Sequence, residues 1–276
     1  MPSPPIITRF APSPSGLLHL GHAYSAALGH RLARAAGGRW LLRIEDIDGT
    51  RCRLEFTDAI LADLQWLGLD WDGPPLLQTS RRDAHEKALA RLEALGVTYP
   101  CFCTRADIAA AANAPHGATP AYPGTCRNLA DARARMASRP HAIRLNVEAA
   151  LARTGPQPAD PRLAGDIVLA RKDIGVGYML AAVVDDADSG VTDIVRGRDL
   201  LESTPTQQLL QALLGYPAPR YHHHRLLLAA DGRRLAKRDR AETLADLRDG
   251  GVDGRRLAAR LGNLPPDGPD LHFPIP

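Results

Sequence analysis

The first forty residues predict a strand, a tight turn and a helix from the order of their apolar and polar positions. An apolar run over residues 6–10 is interrupted by prolines and Gly16, and residues 23–36 then carry a helical pattern that Gly37 closes. At the start of such a helix, the backbone N–H groups and the positive end of the dipole favour an anion above the strand.

Two histidines in that turn predict a phosphate or nucleotide site. His19 and His22 lie three residues apart, so both can face an anion from the first turn of the helix, and Gly21 leaves room for a bulky ligand against the backbone. The alternative is the strand, turn and helix of an ordinary α/β protein, in which these histidines bind no ligand.

The next apolar run ends in carboxylates. Residues 40–44 predict a buried strand, and Glu45, Asp46 and Asp48 follow it. Ligands of an open parallel sheet sit at the carboxyl ends of the strands, so we expect Glu45 to face the same crevice as the histidine turn. A solvated acidic loop is the alternative for Asp46 and Asp48.

The middle of the chain predicts scaffold elements and an insertion. Residues 54–67 and 81–95 predict helices, while residues 140–147 and 165–173 predict strands around a loop at 152–165. We interpret the segment from about residue 100 to 170 as an insertion between two halves of a nucleotide-binding sheet.

The second half of the chain contains another charged strand end. Residues 175–186 resemble core apart from Tyr178, and a strand that begins at Val191 ends in Arg196 before a glycine. The forked donor set of an arginine at that point suits a carboxylate. A surface arginine without a ligand is the alternative.

A histidine run and a basic stretch lie near the end of the chain. Residues 222–224 are all histidines, but neighbours on a strand point to opposite faces, so at most two could converge and a metal site is not favoured. Residues 225–240 contain six basic and two acidic side chains, which predicts either a solvated loop or contact with an RNA backbone.

Three cysteines predict a zinc site, with buried structural thiols as the alternative. Cys101 and Cys103 are followed by Cys126, and a tetrahedral site would need a fourth ligand. His116, His141 and Tyr122 are the candidates, and the chemistry alone favours a histidine. Cys52 stands apart and is interpreted as a plain thiol.

Composition narrows the class of protein. The chain has 276 residues and a formal net charge of +3, so it can bury a large core, and a nucleic-acid partner must be argued from local patches. Neither a membrane-spanning run nor the apolar core of a signal peptide is present in the sequence, which favours a cytoplasmic protein without a membrane partner.

Residues 9–22, with the sequence R-F-A-P-S-P-S-G-L-L-H-L-G-H, resemble the HIGH signature of class I aminoacyl-tRNA synthetases in the form that the glutamyl and glutaminyl enzymes use. The resemblance implies an α/β fold with a Rossmann-like parallel sheet and an inserted zinc-binding, acceptor-contacting subdomain. The expected domains are a first catalytic half over 1–100, the insertion over 101–170, and a second catalytic half with a short helical C-terminus over 171–276.

The same resemblance implies roles for individual residues. It assigns catalysis to His19, His22 and Lys237, and ATP binding to these three and Gly21. Mg²⁺ would share the charge of the phosphates. Lys237 lies in a segment similar to the KMSKS loop, although Arg234 and Arg238 stand where that motif has lysine and serine. Glutamate binding is assigned to Arg9, Ser13, Glu45, Tyr178 and Arg196.

The insertion and the short C-terminal part are similar to those of the glutamyl-Q tRNA(Asp) synthetases. About forty residues follow Lys237, too few for a helical anticodon-binding domain. The Cys-x-Cys and Tyr-x3-Cys patterns select Tyr122, with Cys101, Cys103 and Cys126, as the ligands of one structural Zn²⁺.

Members of that family activate L-glutamate with ATP in the absence of tRNA. They then transfer it to the queuosine base at the wobble position of tRNA(Asp). The resemblance therefore implies that the anticodon stem-loop bearing queuosine is the partner of this chain, which we expect to be a monomer. The alternatives are a truncated glutamyl-tRNA synthetase that charges a tRNA 3′ end, and a non-catalytic, zinc-bearing RNA-binding paralogue.

Overall fold

The computed structural model describes residues 5–104, 106–108, 122–228 and 242–273. In chain order the strands and α-helices are β1 (Ile7–Phe10), α1 (Leu20–Ala35), β2 (Arg39–Ile44), α2 (Leu54–Leu67), β3 (Leu76–Leu77), α3 (Arg82–Ala94), β4 (Thr98–Cys101), α4 (Ala132–Met136), β5 (Ala142–Leu145), α5 (Val147–Thr154), β6 (Val168–Arg171), β7 (Gly175–Val176), α6 (Tyr178–Asp188), β8 (Asp193–Gly197), α7 (Thr204–Leu214), β9 (Arg220–His224), β10 (Leu227–Leu228), α8 (Leu244–Asp249), α9 (Gly254–Gly262) and β11 (Leu271–His272). Short 3-10 helices span Gln78–Arg81, Pro161–Ala164 and Arg198–Ser203.

The chain folds into two compact units. The first contains Met1–Ser80, Ser189–Leu201 and Pro219–Pro276, and the second contains Arg81–Asp188 and Glu202–Ala218. Each unit is therefore built from discontinuous parts of the chain.

Parallel strands form the centre of the first unit. β1, β2 and β3 pair in that order and in parallel, and β8 pairs in parallel with β9. The backbone N–H of Thr192 donates to the Ile7 carbonyl at 2.9 Å, and Ile7 N–H donates to the Thr192 hydroxyl at 2.8 Å. These hydrogen bonds place the start of β8 next to the start of β1.

Helix α1 packs closely on this sheet because small residues line its inner face. A Cβ on Gly29 would lie 3.2 Å from the indole nitrogen of Trp40, and the Thr8 hydroxyl of β1 donates to the Gly29 carbonyl at 2.9 Å. Trp40 is fully buried and stacks on Phe10, with 6.3 Å between ring centroids. The strand, turn and helix predicted for the first forty residues are present.

The last helices complete the core of the first unit. Arg248 of α8 donates to Asp63 of α2 at 2.9 Å, which ties these two helices together. A Cβ on Gly254, the first residue of α9, would lie 2.5 Å from the Trp66 carbonyl oxygen, so only glycine permits this approach of α9 to α2.

The second unit contains an antiparallel sheet with the order β4-β5-β6-β7. The unit spans Arg81–Asp188 and Glu202–Ala218, and the division expected near residues 100 and 170 stays a prediction. Helices α3 and α6 belong to it, and the His85 Nε2 atom lies 2.9 Å from the Asp185 carboxylate, with both side chains buried. This polar contact joins segments 100 residues apart, and the local pattern of neither segment indicates it.

Among the described residues, α-helices that are both long and apolar enough to span a bilayer do not occur.

Candidate active site and metal centre

Three charged side chains lie at the carboxyl ends of parallel strands in the first unit. Arg9 is on β1, Glu45 follows β2 and Arg196 is on β8, and all three are buried. The backbone N–H of Glu45 donates to the Pro12 carbonyl at 3.0 Å, which fixes the end of β2 against the turn after β1. Each of the three residues thus lies at the end of a parallel strand where ligands of open parallel sheets bind.

His19 and His22 form a reciprocal cap at the start of α1. His19 occupies the N-cap position, and its Nδ1 accepts from the Gly21 N–H at 3.1 Å. The Nδ1 of His22 accepts from the His19 N–H at 3.2 Å, and the two ring centroids are 3.9 Å apart. Two backbone N–H groups of this turn, those of His19 and Gly21, therefore donate to imidazoles.

This cap determines the tautomer of both rings. A ring nitrogen that accepts from a backbone N–H carries a lone pair, so the proton of each neutral imidazole is assigned to Nε2. Nε2–H is a donor, and it lies on the side of each ring opposite the backbone. The arrangement suits two uncharged donors to phosphate oxygens.

Gly21 lies close to the ring of His19. A Cβ at this position would lie 3.0 Å from Cε1 and 3.1 Å from Nδ1 of His19. The space left by glycine is therefore occupied by the His19 ring rather than reserved for a ligand against the backbone. Contact between Gly21 and ATP stays a prediction.

Glu45 has a basic neighbour on its own strand. The Arg43 guanidinium lies 3.1 Å from the Glu45 carboxylate, and both side chains are buried. The ion pair of Arg43 with Glu45 was not predicted, although residues i and i+2 of a strand lie on the same face.

The other carboxylates after β2 have local partners. Asp46 accepts from the backbone and the hydroxyl of Thr79 at 2.9 and 2.6 Å. Asp48 accepts from Thr50 and Arg51, and the Thr50 hydroxyl bond holds the pKa of this carboxyl below its ordinary value despite partial desolvation. These contacts favour a structural role for Asp46 and Asp48.

The Arg196 guanidinium contacts an imidazole, a backbone carbonyl and an aromatic ring. Its Nε–H donates to His223 Nε2 at 3.3 Å, its Nη2 donates to the Leu200 carbonyl at 3.2 Å, and its guanidinium carbon lies 5.0 Å from the centroid of the Tyr221 ring. The guanidinium is buried and oriented, and its binding of a carboxylate stays a prediction. The contact with His223 was not predicted from the sequence.

The remaining predicted substrate residues differ in position. Ser13 is exposed in the turn after β1, and its carbonyl accepts from Ser15 N–H at 2.8 Å. Tyr178 is the first residue of α6 in the second unit and is half-buried. Lys237, with Arg234 and Arg238, lies outside the described residues.

The histidines of β9 contact separate partners. His222 Nε2 lies 2.8 Å from Asp193, His223 contacts Arg196, and the Nε2 of His224 lies 2.5 Å from the Ser25 hydroxyl. Within the part of the chain that the structure describes, they do not form a group suited to a metal. Cys52 is a half-buried thiol apart from the other cysteines, and burial raises its pKa.

The three predicted cysteine ligands converge in the second unit. The sulfur atoms of Cys101, Cys103 and Cys126 lie within 4.8 Å of one another, with 3.5 Å between those of Cys103 and Cys126. The Tyr122 phenol oxygen lies 3.4 Å from the Cys101 sulfur and 3.5 Å from the Cys103 sulfur. A tetrahedral Zn²⁺ with its usual bond lengths would separate two sulfurs by about 3.8 Å and a sulfur from an oxygen by about 3.5 Å.

These distances fit a zinc site with Tyr122 as the fourth donor. His141 is not part of this group and its Nδ1 lies 3.1 Å from the Arg139 carbonyl, while His116 lies outside the described residues. The Arg144 guanidinium carbon lies 3.9 Å from the centroid of the Tyr122 ring, so a fixed positive charge stands beside the phenol.

The thiols of this cluster differ in acidity. Burial raises the pKa of the Cys103 thiol to about 11. Burial also raises the pKa of Cys126, but hydrogen bonds from Tyr122, the Phe102 backbone and the other two thiols outweigh it and leave that pKa below its ordinary value.

Comparison with known proteins adds independent evidence. The family described as "tRNA synthetases class I (E and Q), catalytic domain" matches residues 5–259. The glutamyl-Q tRNA(Asp) synthetase of Rhodobacter capsulatus is 46% identical over 275 residues, which cover 91% of this chain and 99% of that protein. The protein of the same name from Symbiobacterium thermophilum is 49% identical over 275 residues, covering 93% and 85% of the two chains.

Solved structures confirm the predicted fold class. The crystal structure of a glutamate tRNA ligase from Elizabethkingia meningosepticum superposes with a TM-score of 0.77 at 24% identity. The match covers 95% of this chain and 61% of that longer one. At this identity the likeness concerns the fold, which is the class I synthetase type with a parallel sheet.

Proposed function

The chain belongs to the glutamyl-Q tRNA(Asp) synthetases, within the class I (E and Q) synthetase catalytic domains, and from this we propose that it activates L-glutamate with ATP and transfers it to the queuosine base of tRNA(Asp). The observation that supports the activation step most directly is the reciprocal cap of His19 and His22 at the sheet edge that also carries Glu45 and Arg196.

The first reaction forms glutamyl-adenylate. An oxygen of the glutamate α-carboxylate forms a bond to the α-phosphorus of ATP while the bond from that phosphorus to pyrophosphate breaks. A carboxylate is already ionised, so the protein supplies no nucleophile and acts by positioning and by neutralising charge.

The paired imidazoles donate Nε2–H to phosphate oxygens in this proposal. Their capped Nδ1 atoms fix both rings before ATP arrives, so little reorganisation is needed as charge develops. By resemblance, Lys237 neutralises the departing pyrophosphate together with Mg²⁺, and Gly21 belongs to the ATP site.

Glutamate is bound through its three charged groups. The Glu45 carboxylate attracts the ammonium group and stays oriented by Arg43, while Arg196, together with Arg9, binds the side-chain carboxylate. Ser13 and Tyr178 complete this set by resemblance. Activation in the absence of tRNA is carried over from the resemblance to the glutamyl-Q tRNA(Asp) synthetases.

The cysteine cluster holds one structural Zn²⁺ in this proposal. Cys101, Cys103, Cys126 and Tyr122 would be its ligands, and the metal would stabilise the segment between β4 and β5 by cross-linking it. Zinc takes no part in the chemical steps.

The acceptor is the wobble queuosine in the anticodon stem-loop of tRNA(Asp), and the proposed enzyme is a cytoplasmic monomer. The names of the relatives contain tRNA(Asp), and the wobble queuosine is carried over from the resemblance. Contact of residues 225–240 with the RNA backbone would make tRNA binding sensitive to salt.

Transfer of labelled glutamate to tRNA(Asp) with and without queuosine tests the proposal. We expect label on queuosine-containing tRNA alone, and nuclease digestion should recover it in the anticodon loop. Label at the 3′ end of queuosine-free tRNA would instead identify a truncated glutamyl-tRNA synthetase. Absence of glutamate-dependent ATP–pyrophosphate exchange would identify a non-catalytic paralogue.

A further inference from the structure

The contacts of Arg196 point to a further positioning residue: we propose that His223 orients the Arg196 guanidinium for the side-chain carboxylate of glutamate and so sets the affinity of the enzyme for this substrate. The inference rests on the proposed function, which assigns Arg196 to that carboxylate.

The register of two strands places His223 opposite Arg196. β8 and β9 pair so that Arg196 faces His223, and the Arg196 Nε–H donates to His223 Nε2 at 3.3 Å. The imidazole lies parallel to the Tyr221 ring, with 5° between the planes and 6.1 Å between centroids, and the Arg196 guanidinium contacts that same ring. The histidine thus fixes one edge of the guanidinium while the tyrosine supports its face.

The contact requires an uncharged imidazole. Nε2 accepts from Arg196, so it carries a lone pair and the proton of the ring is on Nδ1. Burial, together with the positive charge of Arg196, lowers the pKa of His223 to about 4. His223 therefore remains an acceptor at neutral pH and adds no positive charge to the site.

The two neighbouring histidines do not share this role. His222 contacts the buried Asp193, to which Arg220 also donates through two nitrogens at 2.9 Å each. His224 pairs with the Ser25 hydroxyl. Within the histidine run, His223 accepts from Arg196, and His222 offers a matched control in the same strand.

A fixed guanidinium binds a carboxylate with a smaller loss of side-chain entropy than a mobile one. Removal of His223 would also leave the buried Arg196 Nε–H without this acceptor, and the guanidinium would turn towards another one. The main effect should therefore be on the KM for glutamate, with the KM for ATP unchanged.

Glutamate-dependent ATP–pyrophosphate exchange without tRNA measures this effect. For His223→Leu we expect the KM for glutamate to rise about 10-fold, because one charge-assisted hydrogen bond orients the binding group. His223→Gln offers an amide oxygen as an acceptor and should restore most of the affinity. His222→Gln should leave both KM values unchanged, and thermal unfolding should show that the variants are folded.

The outcomes separate this inference from the proposed function. If Arg196→Ala leaves the KM for glutamate unchanged, the assignment of Arg196 fails, and with it the role of His223. If Arg196→Ala raises this KM but His223→Leu does not, the inference alone is overturned. His223→Leu in the Arg196→Ala background should have no further effect, whereas an additive effect would show that His223 acts independently of Arg196 and would refute the proposal.

Discussion

The Nδ1 atom of His22 accepts a hydrogen bond from the backbone N–H of His19 at 3.2 Å, so the second histidine of the turn caps the N-terminus of the helix. His19 in turn accepts the N–H of Gly21, and each ring is left with its proton on Nε2. In the proposed function these Nε2 donors meet the phosphates of ATP. We therefore expect activity to be sensitive to small movements of the two rings.

Replacement of Gly21 by alanine should lower activity without lowering stability. The new Cβ would lie 3.0 Å from Cε1 of His19 and displace that ring by a few tenths of an ångström. We expect pyrophosphate exchange to fall about 10-fold, since misplacement of 1 Å can cost about 100-fold. Alanine is the better helix former by about 1 kcal/mol, so the free energy of unfolding should not decrease.

Chemical unfolding of the same Gly21→Ala variant provides the control. A parallel loss of stability and exchange would mean that Gly21 supports the fold, not the position of His19.

Zinc content tests the metal centre. The wild type should contain about one zinc per chain, and Cys126→Ser should lose it because one of four ligands is removed. Tyr122→Phe removes only the phenol oxygen and should lower the zinc affinity by about 10-fold or more, measured by competition with a chromophoric chelator.

Cys52→Ser is the matched control for these variants, because Cys52 lies outside the cluster and its replacement should leave the zinc content unchanged. Zinc-free protein isolated from zinc-supplemented cells, with all thiols reactive, would contradict the assignment.

Asp63 should make stability depend on pH. Burial raises its pKa to about 6, against the opposing effect of Arg248, and its Oδ2 atom is buried without a hydrogen-bond partner among the described residues. The folded state therefore binds this proton more tightly than the unfolded state, whose pKa is about 4. Stability contributed by the protonated group is present below about pH 4 and is lost as pH rises to about 6.

The variant Asp63→Asn should remove this dependence. Relative to the variant, the wild type should lose on the order of 1 to 3 kcal/mol of unfolding free energy between about pH 4 and pH 6. Urea unfolding of both proteins at several pH values measures the difference. A difference that stays constant over this range would show that Asp63 does not titrate there.

Much of the site could be predicted because its residues follow local patterns. The first strand, turn and helix are continuous in sequence, and Glu45 follows directly from a buried strand. The Tyr-x3-Cys pattern selected Tyr122 through resemblance, where the chemistry alone had favoured a histidine. The structure places its phenol oxygen 3.4 Å from the Cys101 sulfur.

The features that could not be predicted from the sequence depend on contacts between residues far apart in the chain. Arg196 and His223 are 27 positions apart and meet only through the register of two parallel strands. The division into two units depends on buried contacts such as that between His85 and Asp185. The proximity of Gly21 to the His19 ring was not predicted, because the sequence indicates that space is needed but not which group lies there.

The proposed activation step depends most on His22, whose Nδ1 caps the helix and whose Nε2–H donates to a phosphate. In His22→Asn the amide oxygen can take the place of Nδ1 and cap the His19 N–H, but the donor at Nε2 is lost. Glutamate-dependent ATP–pyrophosphate exchange in the absence of tRNA is therefore the most direct measurement. We predict that this variant unfolds like the wild type and exchanges about 100-fold more slowly. Wild-type exchange by a fully folded His22→Asn protein would contradict the account.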